Sequence, residues 1–161
     1  MAARNEPTAG PQQAELTLTR IFDAPRELVF DVWTDPKHLA RWWGPELFTA
    51  PVCRVDARPG GELYIVMRGP DGQDYPMKGV YQEVRRPERL SFTNQAMDGS
   101  GVVLLEGTTT VDFAALGAKT RVTVHTLMRA QVPQAAFALA GMEPGWNQTL
   151  DRLGAHLGAA A

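Results

Sequence analysis

After its opening segments the chain changes its hydrophobic period once, near its end, and that change restricts the folds open to it. From residue 48 to residue 128 it runs as short alternating stretches separated by turn signals. These are "FTAPVCRVDA", "GELYIVMR", "YPMKGVYQEV", "RLSFTNQ", "VVLLEGTTTVDFA" and "KTRVTVHTLM". The separators Gly69-Pro70-Asp71-Gly72, Arg86-Pro87-Glu88, Asp98-Gly99-Ser100-Gly101 and Leu116-Gly117-Ala118 read as turns and hairpin loops. Afterwards Trp146, Leu150, Leu153 and Leu157 recur at i, i+4, i+7 and i+11, the single apolar stripe of a long helix. A sheet with one apolar face and a helix with one apolar stripe bury each other, so the expected class is α+β, with the helix across the concave face of a curved antiparallel sheet.

The opening segments fit this frame. In "ELTLTRIF", Leu16, Leu18, Arg20 and Phe22 share one parity, as in a strand. Asp23 is expected to cap a first helix with Pro25 in its first turn, placing Leu28, Val29, Val32 and Trp33 on one face. Asp35-Pro36 starts a second short helix, expected to run through Trp43 and stop at Gly44-Pro45. On it Leu39 and Trp43 should turn inward, and Trp42 should reach a partly exposed rim. Pro51 suggests an edge strand or a bulge. "PQAAFALA" reads as helical, and Gly141 to Gly145, with Pro144, is expected to interrupt the chain before the long helix, leaving the preceding segment as a possible lid. Residues 1–14 carry no periodic pattern and are expected to be a flexible tail ahead of one domain over 15–161.

Composition narrows the function classes. With 161 residues, 44% hydrophobic and 21% charged, the chain suits one globular domain. A net charge of −2 gives no electrostatic case for nucleic acid. No apolar run approaches the roughly 20 residues that span a bilayer, and the first residues lack the apolar core of a secretory signal. One cysteine, Cys53, excludes an internal disulfide and fits a cytoplasmic protein.

Motifs for chemistry are sparse. His38, His125 and His156 lie far apart on three elements and read as solvent-facing, so neither a metal nor a cofactor is expected. Cys53 sits in an apolar strand and reads as an inert thiol. Arg20, Tyr64 and Glu83 are the polar side chains that parity or an apolar ring would carry into a cavity, with Glu83 sharing the parity of Met77 and Tyr81. The apolar candidates for a cavity lining are Trp33, Trp43, Phe48, Met67, Met77, Tyr81, Phe92, Phe137, Met142, Trp146 and Leu150. Aromatic rings and adaptable thioethers suit a small apolar ligand, although the same residues would equally fill a core.

"TRIFDAPRELVFDVWTDPKHLARWWGP", "PGGELYIVMRGPDGQDYPMKGVYQEVRRPERLSFTN" and "GWNQTLDRLGAHL" together resemble the family named for activators of the heat-shock protein 90 ATPase. That family is part of the START-related (SRPBCC, birch-pollen-allergen-like) superfamily. The resemblance implies a helix-grip fold: a seven-stranded antiparallel sheet around a C-terminal helix, with two short helices after the first strand and a deep cavity between sheet and helix. The family's eukaryotic co-chaperones carry a further N-terminal domain, for which this chain is expected to have no room. The reading is therefore a binder of a small hydrophobic or amphipathic ligand, without catalytic residues of its own. Two alternatives stay open: an enzyme resembling the superfamily's polyketide cyclases or a hydrolase, and a chaperone-associated interaction module with an exposed apolar patch around Trp42. A homodimer is also possible.

Overall fold

The computed structural model describes residues 12–160. Strand β1 (Gln13–Phe22) is followed by helices α1 (Arg26–Thr34) and α2 (Pro36–Trp42). Six strands come next: β2 (Thr49–Val55), β3 (Glu62–Arg68), β4 (Asp74–Arg85), β5 (Arg89–Met97), β6 (Val103–Leu116) and β7 (Lys119–Ala130). A 3₁₀ turn at Pro133–Ala135 leads into α3 (Ala136–Ala140) and the long α4 (Met142–Ala160). The strands form one antiparallel sheet in the order β1-β7-β6-β5-β4-β3-β2. Consecutive hairpins give every neighbour except β1, which returns to pair with the last strand. This is the helix-grip α+β architecture.

Alternation sets the two faces. Leu63 and Ile65 on β3, Tyr81 on β4, Leu90 and Phe92 on β5, Val111 and Phe113 on β6, and Val122 and Val124 on β7 are all buried on the concave face. Leu150, Leu153 and Leu157 of α4 meet them, each at most 3% exposed. Burying such side chains contributes about 1.5–3 kcal/mol apiece, which fixes the helix across the sheet. Arg20 is on the same face of β1, and its guanidinium donates to the Asp151 carboxylate at 2.8 Å and to Asn147 Oδ1 at 3.1 Å, tying α4 to the sheet edge.

Several boundaries differ from expectation. Residues 1–11 of the expected tail lie outside the described residues, but Gln13 and Ala14 already pair with Arg129 and Met128. The first helix has Pro25 at its N-cap position and no side-chain cap, so Asp23 does not cap it. Asp35 does cap α2, accepting the Lys37 backbone N–H at 2.9 Å, with Pro36 in the first turn. The break before α4 is confined to Gly141. Pro144 and Gly145 belong to the first turn of α4, where proline's missing N–H has no helical partner to lose. Pro51 lies in the edge strand β2 at a register shift between Thr49 and Val52.

Trp42 is fully buried rather than on a rim. The helix α2 is covered by α1, β2 and α4 together, so it has no open side at this point. The Trp42 indole N–H donates to the Val32 carbonyl at 3.0 Å, and its ring meets Trp33 edge-on with centroids 4.7 Å apart. Because α2 ends at Trp42, Trp43 leaves the helix in an extended conformation and turns inward.

Candidate functional site

The sheet is wider than α4 can fill. Beyond Leu150 toward the helix N-terminus, a cavity of about 440 Å³ opens between the sheet, the α2–β2 loop, α3 and the first turns of α4. Its wall includes Trp43, Phe48, Met67, Met77, Phe137, Met142 and Trp146. Phe137, 72% exposed, stands at the mouth on α3, the segment expected as a lid. Five of the chain's six methionines, Met67, Met77, Met97, Met128 and Met142, line this one space. Their unbranched thioethers repack at low cost around irregular shapes. Among the described residues no charged side chain contributes to the wall.

The α2–β2 loop is held in place from α4. The Arg152 guanidinium donates to the carbonyls of Arg41, Trp43, Gly44 and Pro45 at 2.9 to 3.3 Å. A cation at the C-terminal end of α2 satisfies carbonyls that the helix leaves unpaired and suits their partial negative charge. Partial burial lowers the Arg152 pKa from its ordinary value. Gln148 adds a second tie, its Oε1 accepting the Glu46 backbone N–H at 3.0 Å. Gly44 has φ of 102°, a backbone conformation that favours glycine, so the cavity rim needs glycine there.

Trp33, Tyr81, Phe92 and Leu150, also named as lining candidates, belong to the filled core instead. Tyr81 and Phe92 share a face with the cavity residues but lie in the half of the sheet that α1 and α4 cover, and Trp33 and Leu150 are on those covering helices. Trp33 packs among Trp42, Trp43, Trp146 and Phe113, with its indole N–H enclosed and unpaired. None of the three polar candidates reaches the cavity. Arg20 is engaged by α4. Tyr64 is on the convex face of β3, with the Arg54 guanidinium 4.4 Å from its ring centre. A bulge between Tyr81 and Glu83 reverses the parity of β4, so Glu83 turns to the convex face, where Arg85 and Arg89 hold it at 2.6 and 3.0 Å.

The polar groups that do reach the wall are Asn94, Thr126, Thr149 and Tyr75. Thr149 is satisfied within its own helix, donating to the Gly145 carbonyl at 2.9 Å. Asn94 and Thr126 were legible in principle, because each shares parity with an inward apolar neighbour, Phe92 and Met128. Arg152 carries no such signal, since its partners are carbonyls more than a hundred positions away.

Burial pushes the Cys53 thiol up to about 11, with Asp35 adding to the shift, so the thiolate is scarce at neutral pH. Burial, and then the nearby Cys53 charge, also raises Tyr81 above its ordinary value. His125 sits against Glu15 at the surface. His38 and His156 do not face solvent separately: Nδ1 of one and Nε2 of the other are 2.9 Å apart where α2 packs on α4. Burial, the His38 charge and Arg41 lower the His156 pKa. Among the described residues no three His, Cys, Asp or Glu side chains converge as metal ligands. A second depression, of about 570 Å³, lies over Gly79 and Gly107 and is bordered by Glu62, Lys78, Glu106 and Arg129.

Residues 23–158 match the family described as Activator of Hsp90 ATPase homolog 1-like protein. The chain belongs to that family. Solved structures of similar proteins share its fold. One from Nitrosomonas europaea is 28% identical, with 91% of this chain and 95% of that one aligned at a TM-score of 0.74. One from Chromobacterium violaceum is 28% identical over 88% and 94%, with a TM-score of 0.76. A protein from Silicibacter pomeroyi, whose description carries the family's abbreviated name, is 26% identical over 92% and 100%, with a TM-score of 0.77. No curated protein matches the chain. In this member of the Activator of Hsp90 ATPase homolog 1-like family, the matched segment includes every residue named above as lining the cavity. Among the described residues, no helix is long and apolar enough to cross a membrane.

Proposed function

We propose that this protein binds a small, largely apolar molecule between the sheet and the N-terminal part of α4, acting as a binding protein of the START-like type. The observation that carries this reading is the cavity of about 440 Å³, within the range of small-molecule sites and walled by five methionines and four aromatic rings besides Tyr75. A core of the same composition would have filled that volume, because interiors pack at nearly crystalline density. The enzymatic alternative draws less support. Arg20 and Glu83 are occupied elsewhere, and among the described residues no carboxylate, histidine, lysine or arginine side chain reaches the cavity as an acid–base partner. A chaperone-binding role, which the family's description suggests, called for an exposed patch around Trp42, and that side chain is buried. A cytoplasmic setting fits the single cysteine.

The test is a titration with N-phenyl-1-naphthylamine, a neutral dye that brightens in apolar surroundings. The expected result is saturable binding of one dye per chain, with a rise in the melting temperature, since a ligand of the native state alone stabilises it. Absence of saturable binding, or binding that survives filling the cavity with Ala96→Phe, contradicts the proposal.

A further inference from the structure

One buried polar rung crosses the mostly apolar wall. Asn94 on β5 is 8% exposed, while Thr109 on β6 and Thr126 on β7 are buried and face each other directly in the β6–β7 register. The two threonine hydroxyls are 2.9 Å apart, and the Thr109 hydroxyl lies 3.4 Å from Asn94 Oδ1. Each hydroxyl has one proton to give. Thr126 donates to Thr109, Thr109 donates to Asn94 Oδ1, and the chain of bonds stops there. The two N–H donors on Asn94 Nδ2 have no acceptor among the described residues. Asn94 forms part of the cavity wall, and its partner across the strands is Gly107, which has no side chain to cover the amide. Gly107 cannot readily be larger, because a Cβ there would fall 1.8 Å from the Leu127 carbonyl oxygen.

The Asn94 amide borders the open cavity, where water can accept from it, so a ligand that covers it without an acceptor leaves a donor unpaired at a cost, and a ligand oxygen placed against it avoids that cost. An ion placed there would lose its hydration with no opposite charge in the wall to offset the loss. Resting on the cavity being the binding site, we infer that it selects an uncharged, mostly apolar molecule carrying one accepting oxygen, such as a carbonyl or ether, and that Asn94 Nδ2 donates to that oxygen. Thr109 and Thr126 are positioning residues that hold the carboxamide with its nitrogen toward the cavity.

Three probes on one ring system test this: 2-acetylnaphthalene, 2-isopropylnaphthalene and 2-naphthoate. Each is titrated into the wild-type chain and into Asn94→Leu at neutral pH, with the methionine methyl resonances reporting occupancy. The affinity ratio of the acetyl to the isopropyl probe should fall about fivefold or more in Asn94→Leu. In the wild type, the Asn94 side-chain amide resonance should move with the acetyl probe and stay with the isopropyl probe, which decides the matter even if the variant does not fold. Naphthoate should bind at least about tenfold more weakly than the acetyl probe. An unchanged ratio, an amide resonance indifferent to the carbonyl, or tighter binding of naphthoate overturns the inference and leaves the cavity reading standing. If no probe moves any methionine methyl, both fall.

Discussion

The two halves of the concave face are built from the same strands and treated differently. In one half, Leu90, Phe92, Val111, Phe113, Val122 and Val124 meet Leu150, Leu153 and Leu157 of α4 together with the buried tryptophans of α1 and α2. In the other half, the same three central strands carry Asn94, Ala96, Leu105, Thr109, Thr126 and Met128, and the covering elements are the short α3 and the first turns of α4. Branched and aromatic side chains fill the first half to closure. Small, polar and thioether side chains leave the second half open. The difference is one of composition along each strand, which lets a rigid core anchor a cavity beside it.

Substitutions in the two halves should therefore behave in opposite ways. The largest effect is expected for Leu153→Ala in the closed half, which should lower stability by about 2–5 kcal/mol, through lost burial plus the void left behind. Urea unfolding measures it, and dye affinity of the remaining folded protein should change by less than about twofold. Next is Arg152→Met, which removes the cation joining α4 to the α2–β2 loop. The guanidinium is only partly buried, so the expected loss is about 1–2 kcal/mol, and here dye affinity should fall as well, because the loop forms the cavity rim. A paired enlargement sharpens the contrast. Val111→Phe should cost roughly 1–3 kcal/mol by overpacking, whereas Ala96→Phe should shift stability by less than about 1 kcal/mol and abolish dye binding. Equal costs for the two enlargements would mean that the second half is not open in solution.

The smallest effect is a pH dependence from the contact between α2 and α4. His156 has a pKa lowered in the folded chain relative to its ordinary value of 6.5. As pH falls through that value the unfolded chain takes up the proton first, so stability is full above it and declines below it, toward the folded pKa. Melting temperatures from about pH 8 down to about pH 5 should show this decline, and His156→Gln should make it shallower. A decline of the same steepness in the variant would assign it to other groups.

Much of this is legible in the parity of the sequence. The strand faces, the apolar stripe of α4 and the Asp35-Pro36 start of α2 all follow from local period and capping, whereas Trp43 turns inward from the extended residue after α2 and not from a helical face. What failed did so for non-local reasons. Glu83 changed face because a bulge after Tyr81 inserts a residue that no alternation pattern announces. Trp42 was placed on a rim by helix geometry, but a helix enclosed on several sides has no rim there. His38 and His156 meet only because α2 packs against α4. Seven of the eleven apolar lining candidates do border the cavity. The other four, Trp33, Tyr81, Phe92 and Leu150, lie in the filled core: a face can be read from sequence, whereas the filling of the space above it depends on which element lies there.

The central claim is that the half of the concave face between Asn94 and Phe137 is an open site for a small neutral molecule. Methionine methyl NMR tests it most directly, because Met67, Met77, Met97, Met128 and Met142 all border the cavity. With ε-¹³C-methionine and leucine-methyl labels, titration of N-phenyl-1-naphthylamine should shift these five methionine signals together and leave the methyls of Leu153 and Leu157 in place. Unmoved methionine methyls at saturating dye, or shifts concentrated at Leu153 and Leu157, would contradict it.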